Sequence, residues 1–79
     1  MFINKTKDGK NNICGTVVAE KRKQLRLSQR ALADRLQLIG LDVDKNAIQR
    51  IECGKRFVTD IELKALSKVL DISLDDLLN

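Results

Sequence analysis

The chain has 79 residues, with 15 Lys/Arg against 11 Asp/Glu, no His, no Pro and two aromatic residues. A chain this short makes one domain with a thin core, burying only about 60% of its unfolded surface, and here that core has to be aliphatic. The lack of His, with Cys14 and Cys53 39 residues apart, argues against a zinc site, and no other metal or cofactor pattern is present.

The net charge of +4 is unevenly spread. Residues 1–56 carry 13 basic and 6 acidic side chains, whereas residues 57–79 carry 2 and 5. The basic part suits a polyanion, and the acidic end would be repelled by one. A membrane surface is the rival partner, but no aromatic-rich amphipathic stretch favours it. No apolar run approaches the ~20 residues needed to span a bilayer, and the polar start from Met1 to Asn12 does not read as a signal peptide. A cytoplasmic protein with two reduced thiols is expected, although two cysteines also allow one disulfide by count.

Residues 1–12, with Lys5, Lys7 and Lys10, read as a flexible basic N-terminal arm preceding a domain at 13–79. The arm is either a solvated tail or a strand of charge that touches phosphates. A first helix is expected from Ile13 to Leu25, with Val18 and Leu25 on its inner face and Ile13 and Val17 beside them.

Four later helix starts are written in the same way. Leu27-Ser28 precedes Leu32, Val43-Asp44 precedes Ile48, Val58-Thr59 precedes Leu63, and Ile72-Ser73 precedes Leu77. Each is an apolar residue before a capping residue, with a second apolar residue four after the cap, which is the hydrophobic-staple geometry. Thr59…Glu62 and Ser73…Asp76 add an acidic residue at the third position, as in a capping box. The second helix then runs from Gln29 to Leu38 or Ile39, burying Leu32, Ala33, Leu36 and Ile39, and stops at Gly40. The fourth covers Asp60–Leu70, burying Ile61, Leu66, Val69 and Leu70, and the fifth covers Leu74–Leu78.

The third helix carries the functional signal. Asp44 is its N-cap and Gly54 its left-handed exit. At about 100° per residue, Ala47, Ile48 and Ile51 fall on one side and Lys45, Asn46, Gln49 and Arg50 on the other. All four outer residues donate hydrogen bonds, and Asn, Gln and Arg can bind base edges in a bidentate way. A polar outer face is ordinary on any surface helix, so the row alone is a weak signal. Its neighbours strengthen it.

Arg22, Leu27-Ser28-Gln29, Leu32-Ala33, Ile48 and Ile51-Glu52-Cys53-Gly54 stand in an order that resembles the Cro/repressor (Xre-like) helix-turn-helix family of DNA-binding proteins. Leu66…Leu70 and Ile72-Ser73-Leu74-Asp75-Asp76-Leu77-Leu78 match the end of the same domain, so the resemblance covers about residues 13–78. It implies an all-α, lambda-repressor-like compact bundle of five helices. It also implies that Lys45, Asn46, Gln49 and Arg50 read bases in the major groove of double-stranded DNA. Gln29, Arg26, Lys55 and Arg56 would meet phosphates, and Gln29 could also brace a side chain of the third helix. Arg22 and Glu52 would form an ion pair holding that helix from behind.

The chain departs from the family pattern twice. The stretch from Gln37 to Asp44 is about five residues longer than the tight Gly–aliphatic–Ser/Thr turn of relatives, so that either the second helix gains a turn or the loop bulges, with Leu41 and Val43 folding back. This puts the register of the third helix at issue. Arg26 stands where relatives often use Gly, which points to a strained left-handed residue. The expected function is a sequence-specific transcriptional regulator of the repressor kind, not an enzyme. An antitoxin or protein-interaction module of the same fold is the alternative. A homodimer is expected through the fifth helix and the end of the fourth, unless Leu74, Leu77 and Leu78 close the core instead.

Overall fold

The computed structural model describes residues 5–78 and contains α1 (Gly15–Gln24), α2 (Gln29–Leu38), α3 (Lys45–Glu52), α4 (Asp60–Leu70) and α5 (Leu74–Leu78). The four later helices start at the capping residues named above. Ser28 Oγ accepts from the Ala31 N–H at 3.0 Å, the Asp44 carboxylate from the Ala47 N–H at 2.8 Å, and Ser73 Oγ from the Asp76 N–H at 3.1 Å. Thr59 and Glu62 complete a reciprocal capping box, with bonds of 3.2 and 2.9 Å. Each cap satisfies a donor that the helix itself leaves free, a contribution typically of about 1 kcal/mol.

The helix ends follow one rule. Arg26, Gly40, Gly54 and Asp71 all have left-handed backbone, at φ of 59°, 94°, 78° and 53°. At the first three, two reverse hydrogen bonds close the last turn: Leu27 N–H to Arg22 O, Leu41 N–H to Leu36 O and Lys55 N–H to Arg50 O are the outer ones, each 2.9–3.0 Å. These are Schellman closures. They turn the chain sharply after each helix and keep the connections short.

The core is aliphatic and draws on every helix: Val18 from α1, Leu32, Ala33 and Leu36 from α2, Ile48 and Ile51 from α3, Leu66 and Leu70 from α4, and Leu77 from α5. Cys14 joins it, and burial pushes its thiol up. Cys53 is exposed, and both thiols are free. In the long turn, α2 ends at Leu38 and the following loop bulges. Val43 is buried, Leu41 packs against the core, and Gln37 Nε2 donates to Val43 O at 2.7 Å. The extra residues are therefore tied down before Asp44, and α3 begins in the register its cap dictates.

Four expectations about burial fail. Ile13 precedes the first turn of α1 and is exposed, because that helix starts at Gly15. Leu25 is the C-cap of α1 and is also exposed. Ile39 is the C-cap of α2, where the turn toward Gly40 swings its side chain off the face of Leu32 and Leu36. Ile61 is 72% exposed. Five residues before Leu66, it lies roughly 140° around the axis from it at 100° per residue, and Leu66, Leu70 and Glu62 define the inward side.

The N-terminal segment makes hydrogen bonds of its own. Residues 1–4 of that segment lie outside the described residues. The Thr6 N–H donates to Lys10 O at 2.7 Å and the Gly9 N–H to Thr6 O at 2.9 Å, and the Thr6 hydroxyl donates to Asp8. Asn11 and Asn12 then bond to the last turn of α3 and to the segment that leaves it.

Candidate nucleic-acid interface

The α3 helix is two turns long and strongly two-sided. Ile48 and Ile51 are buried and Ala47 is half-buried, whereas Lys45, Asn46, Gln49 and Arg50 are all exposed. Its first turn carries no acidic residue, and Arg50 lies in its last turn. The outer face is therefore a row of donors held at fixed helical spacing.

Glu52 fastens this helix from behind. Its two carboxylate oxygens accept from Arg22 Nε at 2.7 Å and Arg22 Nη2 at 3.0 Å, a bidentate pair. Gln29 Nε2 donates to the same carboxylate at 3.1 Å, and Arg22 Nη1 donates to Leu27 O at 2.8 Å. Side-chain exposure is 12% for Arg22 and 9% for Glu52, so the pair is largely shielded. The bonds from Glu52 hold the Arg22 guanidinium above its already high pKa. One carboxylate thus joins α1, the start of α2 and α3.

The residues expected at phosphate divide. Lys55 is exposed one residue beyond Gly54, and Arg26 is exposed at the exit of α1. Gln29 sits at the start of α2 with its amide directed to Glu52. Arg56 is different: its Nη2 lies 2.7 Å from Glu62 Oε2 and its Nη1 donates to Phe57 O at 3.3 Å. Arg56 is thus held by a buried carboxylate while its side chain stays 31% exposed. Burial pushes the Glu62 carboxyl up, but the Arg56 guanidinium and the Thr59 N–H outweigh it and hold it below the usual glutamate range.

A row of exposed donors on a two-turn helix, reached through a capped and closed connection from the helix before it, is a helix-turn-helix arrangement. Residues 18–77 match the helix-turn-helix family model. The chain belongs to the Cro/C1-type helix-turn-helix family. No curated protein matches it. Among solved structures it is similar to the P22 c2 repressor, solved in complex with a synthetic operator. That likeness has a TM-score of 0.73 and 31% identity over 86% of this chain and 96% of that one. It is also similar to the restriction-modification controller protein C.AhdI from Aeromonas hydrophila, with a TM-score of 0.70 and 28% identity over 81% of this chain and 86% of that one.

Three parts of this helix-turn-helix protein escaped sequence reasoning. The Arg56–Glu62 pair joins the α3–α4 loop to α4, and the capping box marks Glu62 as a helix-start residue without indicating its cation. Asn11 and Asn12 belong by sequence to the expected arm, and only their reach to Ile51, Gly54, Lys55 and Arg56 reveals their place. Gly15 is the third. A Cβ there would stand 2.2 Å from Ile51 O, so the start of α1 can meet the end of α3 only through glycine. A glycine at a helix start carries no sequence signal of a close approach.

Proposed function

We propose that this helix-turn-helix protein is a transcriptional repressor that lays α3 in the DNA major groove. The chain is a DNA-binding transcription regulator. The observation that carries the finer reading is the exposed row Lys45, Asn46, Gln49 and Arg50 on a helix locked from behind through Ile48, Ile51 and Glu52. Gln49 and Arg50 face base edges, with Lys45 and Asn46 ahead of them at the start of the helix. Lys55 and Arg26 contact phosphate on either side, and Gln29 acts chiefly as the brace of Glu52. The likeness to a repressor solved on a synthetic operator supports this assignment.

One such domain covers half of a two-fold operator, so the protein acts as a homodimer. Leu74 and Leu78 on α5, 45% and 42% exposed, supply the apolar contact, together with the end of α4, while Leu77 is spent in the core. The protein works by binding, not by catalysis, and in the cytoplasm. No helix among the described residues is long and apolar enough to cross a membrane.

The test is selection of bound duplexes from random DNA. The expected result is enrichment of two inverted half-sites about one helical turn apart. Recovery of unenriched DNA would overturn the reading.

A further inference from the structure

We propose that Asn12 is a positioning residue for DNA reading: its carboxamide sets the angle between the base-reading face of α3 and the phosphate-facing loop that follows. This role rests on the reading of α3 as the DNA-contacting helix.

All the hydrogen-bonding atoms of this one side chain face different segments. Nδ2 donates to Ile51 O at 3.1 Å in the last turn of α3, and to Arg56 O at 2.7 Å in the loop beyond it. Oδ1 accepts from the Gly15 N–H at 2.9 Å in the first turn of α1. Asn11 extends the grip, donating its backbone N–H to Gly54 O at 2.7 Å and its Nδ2 to Lys55 O at 3.0 Å. Two adjacent asparagines therefore take four carbonyls between Ile51 and Arg56. The helix end and the turn after it cannot rotate independently while these bonds hold.

The rest of the junction is built around this contact. Gly15 brings the positive pole of α1 against the negative pole of α3, with Ile51 O and Glu52 O within 3.2 Å of where a Cβ would be. The Lys10 stem covers Gly54. The residues held are neighbours of those proposed to touch DNA: Arg50 precedes Ile51, and the Lys55 carbonyl is itself bonded. Base-edge hydrogen bonds tolerate only a few tenths of an ångström, so a pivot at Ile51 moves Gln49 and Arg50 out of register before it unfolds anything. The match to the family model begins at residue 18. The Asn12 grip thus comes from chain lying ahead of the matched region.

Only a carboxamide serves. Aspartate keeps the acceptor for Gly15 but loses both donors and aims a negative charge at two carbonyls. Serine keeps an acceptor for Gly15 and loses the reach to α3.

The experiment measures Kd for the selected operator and for a scrambled duplex, across a salt series, in the wild type, Asn12→Ser, Asn12→Ala and Asn12→Asp, at temperatures where circular dichroism shows each protein folded. The proposal expects operator binding to weaken about tenfold or more, the loss of one good base contact, and most in Asn12→Asp. Scrambled-DNA affinity and salt slope should stay within about twofold, because the phosphate contacts remain. Should Asn12→Ala not fold, Asn12→Ser decides, since its hydroxyl keeps an acceptor for the Gly15 N–H. Folded variants that keep the wild-type operator-to-scrambled ratio, or lose affinity equally for both duplexes, would overturn the proposal. A wild type that itself shows no preference would remove the reading of α3, and this role with it.

Discussion

Arg22 and Glu52 meet across the junction of α1 and α3, two guanidinium nitrogens on two carboxylate oxygens at 2.7 and 3.0 Å, almost out of contact with water. Removing either partner strands a shielded charge. Arg22→Ala or Glu52→Ala should cost about 3–5 kcal/mol, a large share of the 5–15 kcal/mol typical of a whole domain. Urea unfolding with a double-mutant cycle measures it. A loss below about 1 kcal/mol would place the pair among ordinary surface ion pairs.

The two classes of DNA contact should separate in binding assays. Arg50→Ala and Gln49→Ala should each lose about 1–3 kcal/mol of discrimination between operator and scrambled DNA. Lys55→Ala should weaken every sequence alike and flatten the log–log salt slope by about 0.9. Uniform losses for all three variants would mean that the roles are wrongly divided.

Glu62 links stability to acid. Its folded pKa lies below the ordinary glutamate value of about 4.3, so the folded state holds its proton less tightly than the unfolded chain does. The stabilisation is therefore complete above that value and disappears as pH falls through the lower folded pKa. Arg56→Ala leaves the buried carboxylate without its cation. The expected result is a loss of about 1.5–3 kcal/mol at neutral pH and acid unfolding that begins at higher pH. The salt slope of DNA binding should change less than in Lys55→Ala. An unchanged acid limb would show that the pair does not hold the loop.

Arg26 adopts a φ of 59° that non-glycine residues disfavour. Arg26→Gly relieves this strain but gives the unfolded chain more freedom. A net gain of up to about 1 kcal/mol is expected, or roughly 4–8 °C in Tm for a domain of this size. DNA affinity should fall in the same variant if the guanidinium touches phosphate. Higher Tm with unchanged affinity would confine Arg26 to a purely local role.

The leucines of α5 should part in the same manner. Leu74→Asp with Leu78→Asp should leave the fold intact and shift sedimentation to the monomer, with weaker operator binding. Leu77→Ala should instead cost about 2–5 kcal/mol, because that side chain is completely buried. Persistence of the dimer in the double variant would move the interface elsewhere.

Much of the molecule was legible in sequence because its signals are local. A cap, its staple and a left-handed exit act within a few residues, so Ser28, Asp44, Thr59 and Gly54 mark helix ends without any tertiary context. The two-sidedness of α3 is likewise a matter of spacing, with Ile48 and Ile51 opposite Gln49 and Arg50. What tertiary structure alone decided are contacts between residues distant in the chain. Asn12 bonds to carbonyls 39 and 44 residues away. Arg56 lies only six residues from Glu62, yet its guanidinium meets that carboxylate only through the way the loop after α3 leads into α4. Ile61 and Leu77 have similar side chains, yet one is open to water and the other sealed. Hydrophobicity drives both inward alike, but helical spacing puts Ile61 on the outer side of α4, and the placement of the neighbouring helices gives Leu77 a cavity to fill.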